Sequence, residues 1–99
     1  MTKNYQFFVY IIASDSGTLY VGMTTGIAHR VEEHKGGINE GFTKKYGCYK
    51  LVYYEEYQYV YDAIARENQL KKWRREKKEA LITSSNPGWR NMSLDWVVN

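Results

Sequence analysis

Residues 5 to 13, YQFFVYIIA, are followed after only five residues by a second run, LYVGM, starting at Leu19. Aromatic and β-branched side chains lose little by being held in one rotamer on a pleated surface, so each run is expected to form a strand. The intervening SDSGT carries turn residues, with Gly17 free to take positive φ. A parallel return needs a crossover of roughly a dozen residues or more, so strands joined this tightly must pair antiparallel. The hairpin therefore puts Tyr10 and Tyr20 on neighbouring strands.

Beyond the hairpin, TTGIAHRVEEHK (24 to 35) places Ile27, Arg30, Val31 and His34 at three- and four-residue spacing, the pattern of one face of a short helix capped by Thr24 or Thr25. Gly36 and Gly37 end it. Residues 38 to 47 read as a basic loop and YKLVYYEEY (49 to 57) as a third strand. A longer helix is expected from about Val60 to Trp73, with Ala63, Ile64 and Leu70 turned inward, and a second over 76 to 82. The segment NPGW (86 to 89) stops it, because Pro87 lacks the amide donor and Gly88 loosens the backbone. The order β, β, α, β, α, α predicts an α+β fold: a three-stranded antiparallel sheet flanked by helices. Ninety-nine residues suit one domain, with its core over about 5 to 89 and a tail over 90 to 99.

Cys48 is the one cysteine, so neither an internal disulfide nor a thiolate zinc cluster is available, which favours a reducing, cytoplasmic setting. The apolar run near the start lacks the cleavage-site pattern of a secretion signal. No stretch reaches the roughly 20 apolar residues of a membrane-spanning helix. A net charge of +3 does not by itself point to a polyanionic partner. Its distribution is more telling: Arg66, Lys71, Lys72, Arg74, Arg75, Lys77 and Lys78 face only Glu67 and Glu76 within thirteen residues, a local +5, while the rest of the chain is net acidic.

Glu67 is the anomaly on the long helix. It lies four residues after Ala63 and three before Leu70, on a stripe expected to face inward, and a carboxylate near apolar surface costs several kcal/mol unless paired or metal-bound. An ion pair with Arg66 or Lys71, or a turn into solvent, would satisfy it without any catalytic role. On the first helix Arg30 and His34 share a face with Ile27 and Val31. Arg30, His34, Glu67 and the phenols of Tyr10 and Tyr20 therefore have the means to converge. Phosphodiester hydrolysis needs a cation for developing charge, a base for water and a metal as Lewis acid; Arg30, a Tyr or His34, and Glu67 can fill those roles. The basic stretch would hold further phosphates.

Phe8-Val9-Tyr10 followed by Tyr20-Val21-Gly22 resembles the paired signature of the GIY-YIG nucleases. Arg30 and His34 stand at that family's helix positions, and AIAREN, containing Glu67, resembles its metal-ligand helix. The similarity runs from about Tyr5 to Trp89, through FTKKYG, LVYYEE and QLKKWRREKK, and is strong with small bacterial single-domain endonuclease-like members. The resemblance implies that Tyr10 or Tyr20 helps activate water, Arg30 binds the scissile phosphate, His34 handles protons and Glu67 holds one Mg2+ or Mn2+. It also implies a late asparagine that completes the site: Asn86 is the candidate, ahead of Asn68 and Asn91. Two positions depart from the pattern. Phe8-Val9 replaces Gly-Ile, and Met23 stands where many relatives carry lysine, a contact that Lys44 or Lys45 is placed to replace.

Larger relatives append targeting domains, whereas this length holds only the catalytic module. The expectation is thus a metal-dependent endonuclease acting in DNA repair or recombination, on DNA rather than RNA, directed by substrate structure or a targeting protein partner. Lys44, Lys45, Lys71, Lys72, Arg74 and Arg75 would bind the nucleic acid. The alternative is a nucleic-acid-binding adaptor with the same fold that does not cut, for which Met23 speaks. A third reading is a protein-interaction domain whose basic helix meets an acidic partner.

Overall fold

The computed structural model describes residues 6–14, 17–27 and 50–95. Three strands, β1 (Phe7–Ala13), β2 (Leu19–Thr24) and β3 (Lys50–Tyr57), are followed by helices α1 (Val60–Lys72) and α2 (Arg75–Ser85) and a 3₁₀ turn, Met92–Asp95. The sheet order is β2-β1-β3, with both pairings antiparallel. The three-stranded antiparallel sheet of the α+β expectation is therefore present, and its helices flank it as expected.

Alternation along the strands divides the core in two. Val9, Ile11, Ala13 and Val21 join Tyr53, Ala63, Leu70 and Ile82 on the face covered by α1 and α2. Tyr10, Ile12, Leu51 and Ile27 form the other layer, with Phe8, Tyr20, Tyr54 and Met92 packed against it. On the helical side, Ala63 and Leu70 are fully buried, as their seven-residue spacing requires. Ile64 departs from expectation: it is 37% exposed, because the inward stripe of α1 is narrower than three residues per turn and Ile64 lies beside it.

The register slips between Ile11 and Ile12, which face Tyr53 and Leu51, so Val52 is an extra residue in β3. A bulge of this kind leaves backbone groups outside the ladder. Two asparagines meet that need. Asn86 Nδ2 donates to the Val52 carbonyl at 3.1 Å, and Asn91 Oδ1 accepts from the Leu51 amide at 3.2 Å.

The helical region breaks at Trp73 and Arg74 with neither Gly nor Pro, and α2 runs longer than the 76 to 82 expected. The Trp73 ring lies between two cations, with the Arg66 guanidinium carbon 5.0 Å and Lys77 Nζ 4.3 Å from its centroid, an arrangement that ties the end of α1 to α2. After α2, the Asn86 amide and the Trp89 amide close successive turns on Ile82 O and Asn86 O. Trp89 takes a left-handed φ of 51°, held by Nε1 donating to Thr83 Oγ1 at 3.0 Å.

Candidate active site

The hairpin brings Tyr10 and Tyr20 together. Tyr10 pairs with Gly22 across the strands, and Tyr20, two residues before Gly22, shares its face. The two ring centroids are 6.2 Å apart. A β-carbon at Gly22 would lie 2.5 Å from the Tyr10 hydroxyl, 2.6 Å from its Cζ and 3.0 Å from a Tyr20 ring carbon. Glycine is thus what lets the Tyr10 phenol lie flat across β2. Tyr10 is 2% exposed, whereas Tyr20 is half-buried and reaches solvent.

Strand β2 forms one edge of this sheet, and α1 crosses the opposite face over β1 and β2 more than over β3. Glu67 is carried on α1, with its side chain 18% exposed and its carboxylate 3.3 Å from Lys71 Nζ one turn later. Of the two ion pairs open to it, it makes the one with Lys71; Arg66 is engaged elsewhere. The sheet consequently lies between the two phenols and the helix bearing Glu67, and what they share is the β2 edge. Met23 packs against the helix-side core, the face toward α1. Thr24 Oγ1 accepts from the Gly26 amide at 3.2 Å, one of the two threonines expected to cap the following helix, and Ile27 is buried beneath Tyr10. Arg30, His34, Lys44 and Lys45 lie outside the described residues.

Asn86 is 6% exposed and its amide is used by the backbone: Nδ2 donates to Val52 O and, at 2.9 Å, to Arg90 O, and Oδ1 accepts from the Arg90 amide at 3.3 Å. Asn91 is likewise buried, its Oδ1 accepting from Leu51 N, Ser93 N and Ser93 Oγ. Lys71, Lys72, Arg74 and Arg75 are all exposed along α1 and α2.

One polar cluster was not singled out from the sequence. Glu55 on β3 receives Arg66 Nε at 2.9 Å and Nη2 at 2.9 Å, Tyr57 Oη at 2.5 Å, and the Tyr53 hydroxyl on its other oxygen. Arg66 Nη1 also donates to Gln69 Oε1 at 2.7 Å. Burial pushes the Glu55 carboxyl up, but the bonds from Arg66, Tyr53 and Tyr57 outweigh it and hold the group below the usual glutamate range. Burial first, then the bonded Glu55 carboxylate, pushes both Tyr53 and Tyr57 up to about 12. The available signal was the period-two spacing of Tyr53, Glu55 and Tyr57, which places all three on the helix side of β3.

Among the described residues, no three His, Cys, Asp or Glu side chains gather into a metal cage, and no helix is long and apolar enough to cross a membrane. On α1, Glu67 offers an oxygen donor held by a monovalent, half-exposed partner, Lys71. Such a lone carboxylate fits an ion of the Mg2+ type, which keeps several waters and takes few protein ligands.

Residues 6–80 match the family model described as the GIY-YIG catalytic domain. That span contains Tyr10, Tyr20, Gly22 and Glu67, and the chain belongs to the GIY-YIG family. Within it, the chain is 39% identical over 75 residues to UPF0213 proteins of Staphylococcus aureus strains Mu3 and N315, a match covering 76% of this chain and 92% of each relative. It is also similar to the solution NMR structure of the UPF0213 protein BH0048 from Bacillus halodurans, with a TM-score of 0.58 and 27% identity over 93% of this chain and 99% of that one.

Proposed function

We propose that this chain is an endonuclease that hydrolyses phosphodiester bonds in nucleic acid, DNA in preference to RNA, with one Mg2+ or Mn2+ held by Glu67. The observation that carries this reading is the pairing of Tyr10 and Tyr20 over Gly22, within a span that matches a catalytic domain of nuclease type. The reading puts the scissile phosphate at the β2 edge, the strand that carries Tyr20 and that α1 crosses on the other face. The more exposed Tyr20 hydrogen-bonds the attacking water at its hydroxyl, and the buried Tyr10 fixes the Tyr20 ring. Arg30 binds the phosphate and His34 handles the proton of the leaving oxygen. When bound, the divalent ion supplies charge stabilisation and a more acidic water. The Lys71 contact holds the Glu67 carboxylate in place, and a pair with so exposed a cation is weak enough for a divalent ion to replace it.

Asn86 supports the site indirectly, by tying the 86–90 segment to the bulge of β3. Lys44, Lys45, Lys71, Lys72, Arg74 and Arg75 contact flanking phosphates, and a targeting partner or the shape of the DNA selects where the cut falls. Cytoplasmic DNA repair or recombination is the setting this activity fits. The adaptor reading has Met23 in its favour, since a thioether packed in the core replaces a cation. Incubating purified protein with branched, nicked and single-stranded DNA in Mg2+ or Mn2+ tests the proposal. Cleavage abolished by EDTA supports it; binding without cleavage on every substrate supports the adaptor instead.

A further inference from the structure

At the end of β2 farthest from Met23, a cavity of about 220 Å³ opens between the hairpin turn and α2, lined by Thr18, Leu19, Arg75 and Lys78. It is equivalent to about seven waters at roughly 30 Å³ each, room for one phosphate group with part of its hydration. Among the described lining residues two are cations, Arg75 and Lys78, and Thr18 adds a hydroxyl. We propose that this cavity is a phosphate-binding subsite, which seats a backbone phosphate of the same strand that is cut at Tyr20. Its ligand class rests on the nuclease reading above; the site itself rests on its own geometry.

Three features build the subsite. Arg75 is anchored through Nε to Glu79 Oε2 at 2.7 Å, a bond that leaves Nη1 and Nη2 for another acceptor. Its Nη2 lies 3.3 Å from where a β-carbon on Gly17 would sit, so the guanidinium rests against a turn that only glycine, at φ 90°, forms without strain. The turn is fixed in place by Ser14, whose Oγ accepts from the Thr18 amide at 2.8 Å and whose amide donates to Thr18 O at 2.9 Å. Lys78 lies half-buried beside Arg75, one turn further along α2, and makes no ion pair among the described residues. A fork donor held at one nitrogen and a compact cation beside it are the two geometries by which proteins grip phosphate oxygens.

The position matters as much as the charge. Leu19 and Tyr20 are consecutive on β2 and face opposite sides of the sheet, so a phosphate in the cavity and a phosphate at the two phenols lie on the two sides of the same edge strand. The subsite therefore sets the path of the strand: around the β2 edge of the sheet, anchored at the turn on the helix side and cut on the side of the phenols.

The test measures binding of a labelled single-stranded oligonucleotide over a range of salt concentrations. It compares Arg75→Ala and Lys78→Ala with Lys50→Ala, which removes one positive charge from a residue outside both the cavity and the basic stretch of α1 and α2. Losing a charge-assisted phosphate contact is expected to weaken binding on the order of tenfold. The slope of log affinity against log salt should fall by about one for each cavity cation. Equal, small effects in all three variants would overturn the subsite. In parallel, inorganic phosphate is titrated into the wild-type protein and amide shifts are followed by NMR. Shifts centred on Gly17, Thr18, Leu19 and Lys78 are expected, and shifts elsewhere or none would overturn it. If phosphate moves those amides while no oligonucleotide is bound or cut, the subsite stands and the nuclease reading fails.

Discussion

The Tyr10 phenol lies across Gly22 on the neighbouring strand, so close that a β-carbon at residue 22 would come within 2.5 Å of its hydroxyl oxygen. Buried tyrosine and glycine thus form one unit: the ring takes the volume that a side chain at residue 22 would occupy, and lies against Tyr20.

Gly22→Ala should therefore displace the Tyr10 ring and destabilise the fold by about 1–3 kcal/mol, the usual cost of overpacking. In a Tyr10→Leu background the same alanine should cost much less, because the ring it collides with is gone. A double-mutant cycle read by urea unfolding measures this coupling. Additive effects would mean that the two residues do not share the space.

The Glu55 cluster makes stability depend on pH in a definite direction. Its carboxyl titrates lower in the fold than in the unfolded chain, so its stabilisation is complete above about pH 4.3 and is lost as pH falls through the lower folded value. Tyr53 and Tyr57 hold their protons up to about 12 in the fold, so an unfolded chain that ionises near pH 10 gains on the native state between those values. Urea midpoints should be flat between about pH 6 and 9 and fall on both sides. In Glu55→Gln the acid limb should shrink, and stability at neutral pH should drop by about 2 kcal/mol through loss of charge-assisted bonds to Arg66.

Asn86 donates to two carbonyls and accepts from one amide, all from buried or half-buried positions. Asn86→Ala should cost about 1–3 kcal/mol by leaving the Val52 bulge unsatisfied. Asn86→Asp should cost more, since it sets a carboxylate against two carbonyl oxygens. Thermal unfolding of the pair checks the order; an aspartate variant as stable as wild type would contradict the clamp.

The strands, the hairpin and the start of α1 were legible because they depend on local pattern: β-branched runs, a turn of five residues, and apolar spacing of seven between Ala63 and Leu70. The break after Lys72 falls where the two expected helices, to Trp73 and from 76, left a gap, but its cause was not legible: a ring caught between Arg66 and Lys77, a contact made in space with no Gly or Pro to mark it. The role of Asn86 was equally hidden, since it depends on a bulge at Val52 that strand periodicity does not reveal. At the candidate site, the proximity of Tyr10 and Tyr20 followed from the hairpin alone. The spacing put Glu67 on the inward stripe of α1 with Lys71 as one of its possible partners, the one it has, but which face of the sheet α1 covers depends on how the helix packs back after β3. That placed Glu67 across the sheet from the phenols, with the β2 edge between them.

The central claim is that Glu67 and the paired tyrosines serve one cleavage reaction at that edge. Its most direct measurement is nicking of labelled DNA in Mg2+ or Mn2+ by wild type, Glu67→Ala and Lys71→Ala, with DNA affinity measured on the same samples. Glu67→Ala is predicted to reduce cleavage by roughly a hundredfold or more while binding stays within about threefold, and Lys71→Ala to keep most of the activity. Cleavage undiminished in Glu67→Ala would contradict the account.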